Sequence, residues 1–126
     1  MAAVDLIADY IDALPGDTRR VAHSEWGVTV DGERAGGWPL DVGLRLADGL
    51  LRVQAFALPY RDGLDFGQVL HWNRQTRIAR FSCTRSGDIW VQADMPAETV
   101  TAEQLDRMLG LVVEGALNVR AYAGRL

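Results

Sequence analysis

The chain has one cysteine, Cys83, and two histidines, His23 and His71, among its 126 residues. A single cysteine cannot close an internal disulfide, and the three side chains together cannot fill a usual four-ligand zinc site. We therefore expect an intracellular, cytoplasmic protein with no metal and no other cofactor. Because Cys83 alternates with Phe81 on a predicted strand, we expect its thiol to be buried and inert.

The sequence also lacks long apolar runs and an excess of basic residues. No run approaches the roughly 20 apolar residues that a membrane-spanning helix needs. The first residues, MAAVDLIADYIDAL, contain acids and no basic cluster, which is atypical of a signal peptide. The net charge is −4, whereas nucleic-acid affinity depends on a basic surface. The sequence therefore predicts neither a membrane nor a nucleic acid as the main partner.

Motifs of common catalytic sites are missing as well. Ser24 and Ser86 lack the glycines that flank a hydrolase nucleophile. The segment GERAGGWP lacks the spacing of a phosphate-binding loop. Asp62 and Asp65 lie outside any calcium-loop pattern, and their position favours the start of a helix. These absences favour a protein that is not an enzyme.

The sequence does have enough apolar residues for a core. The hydrophobic fraction is 48%, and the length predicts a single domain over residues 1–126. The clearest pattern is the alternation of apolar and polar residues over Arg77–Thr84 and again over Asp88–Asp94. Gly87 suits the turn between these segments, and Pro96 ends the second one. The pattern predicts an antiparallel hairpin.

The rest of the chain predicts three more strands and three helices. The strands contain Trp26–Val30, Leu40–Leu46 and Leu51–Ala57, and the helices cover 3–14, about 63–74, and Thr101 to Ala121 or Tyr122. Asp48-Gly49 predicts a tight turn, Thr101 to Gln104 a capping box, and GDTRR a loop. The predicted order is α-β-β-β-α-β-β-α, an α+β fold with a single antiparallel five-stranded sheet.

One face of the predicted sheet carries aromatic residues among arginines. It includes Phe56, Trp90, Arg52 and Arg80. Aromatic residues and arginine are enriched in protein interfaces, so these four are the candidate partner-binding residues. The alternative is that they pack across strands on a solvated sheet face.

The second helix has an apolar sector that is broad for its length. Phe66, Val69 and Leu70 form one stripe, and Trp72 lies about 60° beyond Val69 at 3.6 residues per turn. Such a sector needs two apolar neighbours, and one sheet supplies only one. We therefore predict a homodimer with these four residues in its interface.

A different interpretation places a cleft near the second helix. Asp62, Asp65, His71 and Arg74 are the titratable residues there. A convergent pocket with these side chains would indicate a small-ligand-binding protein or an enzyme.

Four segments carry a resemblance to a known family: LHWNR, IARF, GDIWVQADMP and LDRML. They resemble the bacterial YbjN family, which is labelled as sensory-transduction regulators. The resemblance covers most of the chain and is best from Val69 to Leu111. The matching positions are Leu70, Asn73, Phe81, Gly87, Pro96 and Leu105.

The YbjN family looks related to the type III secretion chaperones, which share the α-β-β-β-α-β-β-α order. Those chaperones are typically small acidic dimers that hold extended segments of client proteins. The resemblance therefore implies a homodimeric, non-catalytic, chaperone-like or regulatory module that binds a protein client. The segment GERAGGWP lies outside the family pattern.

Overall fold

The structure is a computed structural model that describes residues 2–126. Within these residues it contains three α-helices and six β-strands. In chain order they are α1 Ala3–Ala13, β1 Asp17–Ala22, β2 Glu25–Val30, β3 Leu40–Ala47, β4 Leu50–Leu58, α2 Phe66–Trp72, β5 Arg80–Cys83, β6 Ile89–Pro96 and α3 Ala102–Ala123. All neighbouring strands are antiparallel, and the sheet order is β1-β2-β3-β4-β6-β5.

The α+β class and the antiparallel sheet agree with the sequence prediction, but the predicted five strands are wrong by one. The segment GDTRR was expected to be a loop, and most of it belongs to β1, which pairs with β2. The observed order is therefore α-β-β-β-β-α-β-β-α. The sequence pattern missed β1 because nearly all of its residues are exposed. An edge strand with no buried face shows no apolar alternation.

Short-range signals were accurate where local geometry decides the structure. Asp48 and Gly49 both have positive φ, 53° and 76°, as a two-residue hairpin turn requires. Thr101 and Gln104 form both hydrogen bonds of the predicted capping box at the start of α3. Gly87 also has positive φ, 91°, in the turn between β5 and β6.

The core lies between one face of the sheet and the two longer helices. Ile89, Val91 and Ala93 of β6 are buried there, as their alternation predicts. The other large buried side chains come from α1, α3 and the central strands: Ile7, Ile11, Leu40, Leu44, Leu51, Leu105, Met108 and Val112. None of the helices in residues 2–126 combines the length and apolarity that a membrane crossing requires.

The region around α2 and β5 departs most from the sequence prediction. The helix begins only after Asp65, whose carboxylate accepts a hydrogen bond from the Gln68 amide at 3.1 Å. Strand β5 begins only at Arg80, because Ile78 has a φ of 65°, which no extended strand allows. Cys83 is exposed at the end of β5, so the predicted burial of its thiol is wrong.

Candidate functional site

The sheet face opposite the helices, called the outer face below, brings two candidate residues together. Phe56 on β4 and Trp90 on β6 are directly opposed in the strand register. Their rings meet edge to face, with centroids 5.3 Å apart and an interplanar angle of 83°. Aromatic pairs favour this geometry. Both side chains remain half-buried, so part of each ring is open to solvent.

The two candidate arginines are already bonded within the chain. Arg52 donates two hydrogen bonds to Asp94, at 2.7 and 2.8 Å, and these bonds hold the pKa of the Asp94 carboxyl below its usual range. Arg80 donates to the backbone carbonyls of Thr76 at 3.2 Å and Ala79 at 2.9 Å. Both residues therefore have less capacity left for a partner, and none of these bonds reaches Phe56 or Trp90.

The outer face has glycines at paired positions of two neighbouring strands. Gly27 on β2 and Gly43 on β3 are paired in the register, and a Cβ placed at Gly43 would meet no heavy atom within 4 Å. The Arg19 guanidinium reaches over Gly27 from β1, and it donates to Thr29 Oγ1 at 2.9 Å. Sequence reasoning missed this glycine pair and the arginine that covers one of its members. Glycines at interior positions of two neighbouring strands were the signal that could have indicated it.

The two edges of the sheet differ. On β5, the Phe81 amide donates to Asn73 Oδ1 at 2.8 Å, and Asn73 Nδ2 donates back to the Phe81 carbonyl at 3.1 Å. On β1, the only backbone group of Asp17–Ala22 bonded beyond the β1–β2 ladder within residues 2–126 is the Ala22 carbonyl, which accepts from Arg20. The β1 edge is therefore available for pairing, and the β5 edge is blocked at Phe81.

The four predicted dimer residues lie in different surroundings. Val69 is buried, and Trp72 packs against Phe81 and Tyr122, with ring centroids 5.8 and 5.1 Å away. Phe66 stacks against Tyr60 at 6.4 Å. Leu70 alone of the four is largely exposed, at 63%.

Most of the broad apolar sector of α2 therefore packs against residues of the same chain, namely Phe81, Tyr122 and Tyr60. The reason given for a homodimer from the sequence is therefore wrong for three of its four residues. The homodimer itself is not tested by these contacts and stays a prediction.

A groove lies beside the C-terminal end of α2, between α3 and the segment that leads into β5. Its volume is about 530 Å³, and its lining includes Trp72, Phe81, Val91, Leu111, Arg77 and Arg125. The cleft expected near the second helix thus exists, but none of the four titratable residues expected in it contributes to the lining.

Of those four residues, two form hydrogen bonds outside the groove and two are exposed to solvent. Asp65 caps α2, and Asp62 accepts a hydrogen bond from the Tyr60 hydroxyl at 3.2 Å, which raises the Tyr60 pKa. His71 and Arg74 are exposed. Within residues 2–126, no three His, Cys, Asp or Glu side chains are grouped so that they could hold a metal ion.

The connection between β2 and β3, residues 31–39, is hydrogen-bonded to Arg120, a buried residue of α3. Arg120 donates to the carbonyls of Ala57 and Ala35, at 2.8 and 2.5 Å. It also donates to the carbonyls of Trp38 and Pro39, and its guanidinium lies 3.9 Å from the Trp38 ring centroid. Burial lowers the pKa of Arg120, although the charge of Asp41 opposes that shift.

Sequence reasoning did not identify Arg120. The signal was its spacing, because it follows Ala116 by four residues on the buried stripe of α3. A charged residue on such a stripe must find partners inside the protein.

Comparison with known proteins identifies relatives of the whole chain. The model of the YbjN family, described as "Putative bacterial sensory transduction regulator", matches residues 4–123. No curated protein sequence matches at a significant level.

Solved structures of similar fold include two chaperone complexes. The type III secretion chaperone SycH of Yersinia pestis, solved with a fragment of YscM2, has a TM-score of 0.69 at 14% identity and covers 93% of this chain and 98% of its own. SchA, from the HopA1-SchA chaperone-effector complex, has a TM-score of 0.72 at 14% identity, with 93% and 91% covered.

A third similar structure is that of YbjN from E. coli, described as "a putative transcription regulator". Its TM-score is 0.65 at 13% identity, and the match covers 95% of this chain and 92% of that one. At such identities the likeness concerns the fold.

Proposed function

The chain belongs to the YbjN family, and on that premise we propose that it is a non-catalytic module that binds an extended segment of another protein. The observation that carries the proposal is the unpaired edge of β1. A free strand edge presents backbone donors and acceptors in a row, and an extended segment can add to it as one more strand.

The similar chaperone structures support the same interpretation. SycH was solved with a fragment of another protein, and SchA was solved as part of a chaperone-effector complex. In this chain the outer face has open space above Gly43 on β3, whereas the Arg19 guanidinium covers Gly27 on β2. A bound segment at β1 that continues over the sheet would therefore contact or displace the Arg19 side chain.

The Phe56–Trp90 pair supplies the proposed apolar contact for that continuation. Half-buried aromatic side chains give large contact area at low entropic cost, which makes them effective binding residues. Arg52 is separated from the pair by Gln54, and Arg80 lies opposite Gln92 on the same face, so we propose that both contact the bound segment beside the aromatic pair.

Site-specific photocrosslinking in the native host tests the proposal. A photoreactive residue at Val21, which is 62% exposed on β1, should capture a protein partner, whereas the same residue at Arg107 on α3 should not. On partner binding, the β1 amides should become protected from hydrogen exchange. Equal capture at both positions, or unchanged exchange on β1, would contradict edge pairing.

A variant of the aromatic pair tests the second contact. Trp90→Ala should weaken partner binding at least tenfold and leave the fold intact, because the ring packs on the surface of the sheet. Ser86→Ala, at an exposed site in the turn between β5 and β6, is the control. If Trp90→Ala binds the captured partner as tightly as the control does, the outer face is not part of the site.

The homodimer also remains a proposal, now centred on Leu70. Leu70 is the most exposed apolar residue of α2, so the same helix of a second copy, related by a twofold axis, could cover it. Leu70→Asp should convert a sedimenting dimer into a folded monomer, and His71→Asp, on the same helix, should not. A wild-type monomer at high micromolar concentration would exclude the dimer. The cytoplasmic location stays a prediction.

A further inference from the structure

The groove beside α2 has the size and the lining of a small-molecule site. Its volume of about 530 Å³ falls within the roughly 300–1,000 Å³ that is typical of ligand pockets. The apolar part of the lining comes from four elements: Trp72 from α2, Phe81 from β5, Val91 from β6 and Leu111 from α3. Phe81 and Val91 are buried in the core, so this floor is already formed without a ligand.

Small residues on α3 and before β5 keep the groove open. Gly115, Ala121 and Ala79 all line it. Gly115 allows α3 to approach the sheet, since a Cβ there would lie 3.0 Å from Val91 Cγ1. Larger side chains at Ala121 would occupy the space where a ligand can lie.

The backbone that leads into β5 is held in an unusual conformation beside the groove. The Ala79 amide donates to the Arg77 carbonyl at 2.6 Å, which closes a three-residue turn around Ile78. Ile78 has a φ of 65°, and a β-branched residue rarely adopts positive φ. Strained backbone of this kind is concentrated at binding and catalytic sites, where the surrounding structure maintains it. Here it sets the position of Arg77 and Ala79 in the groove wall.

Two arginines of the groove rim are not used by the rest of the chain. Arg19, Arg45 and Arg52 each form an ion pair. Arg77 and Arg125, within residues 2–126, form neither an ion pair nor a side-chain hydrogen bond, a state that they share with exposed arginines elsewhere, such as Arg61 and Arg85. Glu114 is the one acidic residue in the lining, so the charged side chains of the rim sum to +1.

We propose that this groove binds a small amphipathic carboxylate. Its apolar body would lie on the floor formed by Trp72, Phe81, Val91 and Leu111, and its carboxylate would accept hydrogen bonds from Arg77 and Arg125. A planar guanidinium matches a carboxylate with paired donors, which is why arginine is common in such sites. This site is separate from the β1 edge and from the outer face, so it does not depend on the proposed protein partner.

Nuclear magnetic resonance with octanoate tests the proposal, because the four tryptophans give four indole N–H signals. Octanoate should shift the signal of Trp72 in a saturable way and leave that of Trp90, on the outer face, unchanged. A Trp72→Phe variant identifies the signal. Octan-1-ol, which has the same chain without the charge, should bind at least tenfold more weakly. Equal shifts for Trp72 and Trp90, or equal affinity for the alcohol, would overturn the proposal.

Matched variants locate the binding. Arg77→Gln with Arg125→Gln should weaken octanoate binding at least tenfold, whereas Arg85→Gln with Arg107→Gln, which removes the same charge outside the lining, should not. Ala121→Phe should abolish binding by filling the groove, and Ala13→Phe, at an exposed helical alanine, should have no effect. Equal losses for the two arginine pairs, or unchanged binding by Ala121→Phe, would contradict the assignment.

Sedimentation of the same variants separates a ligand site from a contact between copies. The groove variants should leave the oligomeric state of the protein unchanged. If Ala121→Phe instead converts a dimer into a monomer and octanoate shifts no indole signal in the wild type, a second copy occupies the groove and the proposal is wrong.

Discussion

The two edge strands of the sheet, β1 and β5, differ in how their outward-facing backbone groups are hydrogen-bonded. Each leaves one row of backbone groups without a strand partner. At β5, the Asn73 amide occupies both polar groups of Phe81, and α2 lies nearby. At β1, α1 also lies nearby, but within residues 2–126 the only bond beyond the β1–β2 ladder to a backbone group of the strand is the one that the Ala22 carbonyl accepts. An exposed edge can pair with another chain, and proteins normally block it.

The difference shows where the fold leaves room for binding. Asn73 mimics a neighbouring strand at one position, and an asparagine amide can do so because it carries both a donor and an acceptor. The β1 edge instead has charged side chains, such as Asp17, Arg19 and Arg20, on exposed positions. Charges on an edge strand discourage non-specific pairing, and they favour pairing with a segment that carries charges of opposite sign.

The largest expected effect comes from removing the residue that anchors the closed edge. Phe81→Ala should reduce the free energy of unfolding by roughly 3–5 kcal/mol, because Phe81 is buried and contacts Trp72. Val21→Ala, on the open edge, should change it by less than about 0.5 kcal/mol. Urea titration measures both. A loss below about 1 kcal/mol for Phe81→Ala would mean that the side chain does not face the core.

Opening the closed edge should make the two edges alike. Asn73→Ala should cost roughly 1–3 kcal/mol, because both hydrogen bonds to Phe81 are lost. The Phe81 amide should exchange hydrogen faster, and at high concentration the variant should associate beyond the oligomeric state of the wild type. Asn118→Ala, at an exposed position on α3, is the control. An Asn73→Ala variant with the oligomeric state of the wild type and unchanged Phe81 exchange would show that the amide does not protect this edge.

At the open edge, side-chain interactions are expected to contribute little. Arg19 lies 3.8 Å from Asp17 and 3.7 Å from Asp41, and all three side chains are largely exposed. Arg19→Ala should therefore cost about 0.5–1 kcal/mol or less at low salt, and the cost should shrink as salt is added. Arg34→Ala, another exposed arginine, provides the comparison in denaturant titrations. A loss above about 2 kcal/mol would show that the β1 edge is held as firmly as β5.

The smallest expected effect on the free energy of unfolding comes from the Arg52–Asp94 pair between the central strands β4 and β6, and it depends on pH. The Arg52 hydrogen bonds depress the pKa of Asp94 in the folded state below its ordinary value of 3.8. The pair therefore stabilises the fold at pH values above that ordinary pKa, and the contribution is lost as pH falls through the folded pKa. Both side chains are more than a third exposed, so we expect only a few tenths of a kcal/mol.

Asp94→Asn measures this contribution. The difference between wild type and variant in the free energy of unfolding should be present at pH 7 and should decline as the pH is lowered below about 4, where free Asp becomes protonated. A difference that stays constant from pH 7 to about pH 2 would show that the carboxylate charge of Asp94 is not what stabilises the pair.

Much of the fold could be predicted because local chemistry decides it. The Asp48-Gly49 turn, the Thr101 capping box and the alternation in β6 depend on neighbouring residues, and the structure confirms all three. The location of Phe56 and Trp90 on the same face follows from the same alternation, whereas their direct opposition depends on the register between β4 and β6. The predicted partner contacts there remain to be tested.

Other features escaped prediction because distant residues create them. β1 has no apolar face to reveal it, and it is a strand only because β2 is available for pairing. Cys83 alternates with Phe81 but is the last residue of the edge strand β5, and its thiol is exposed. Val69 and Trp72 find their apolar neighbours inside the chain, which a helical wheel cannot show.

By itself, the sequence determined the kinds of elements, most of their order and which face of every strand except β1 is apolar, because these depend on backbone preferences and periodic burial over a few residues. Only the tertiary structure decided which strand edge stays open, where Arg120 finds its four carbonyl acceptors, and that α2, α3, β5 and β6 enclose a groove. Each of these depends on contacts between segments that are far apart in the chain, and no local pattern records such distances.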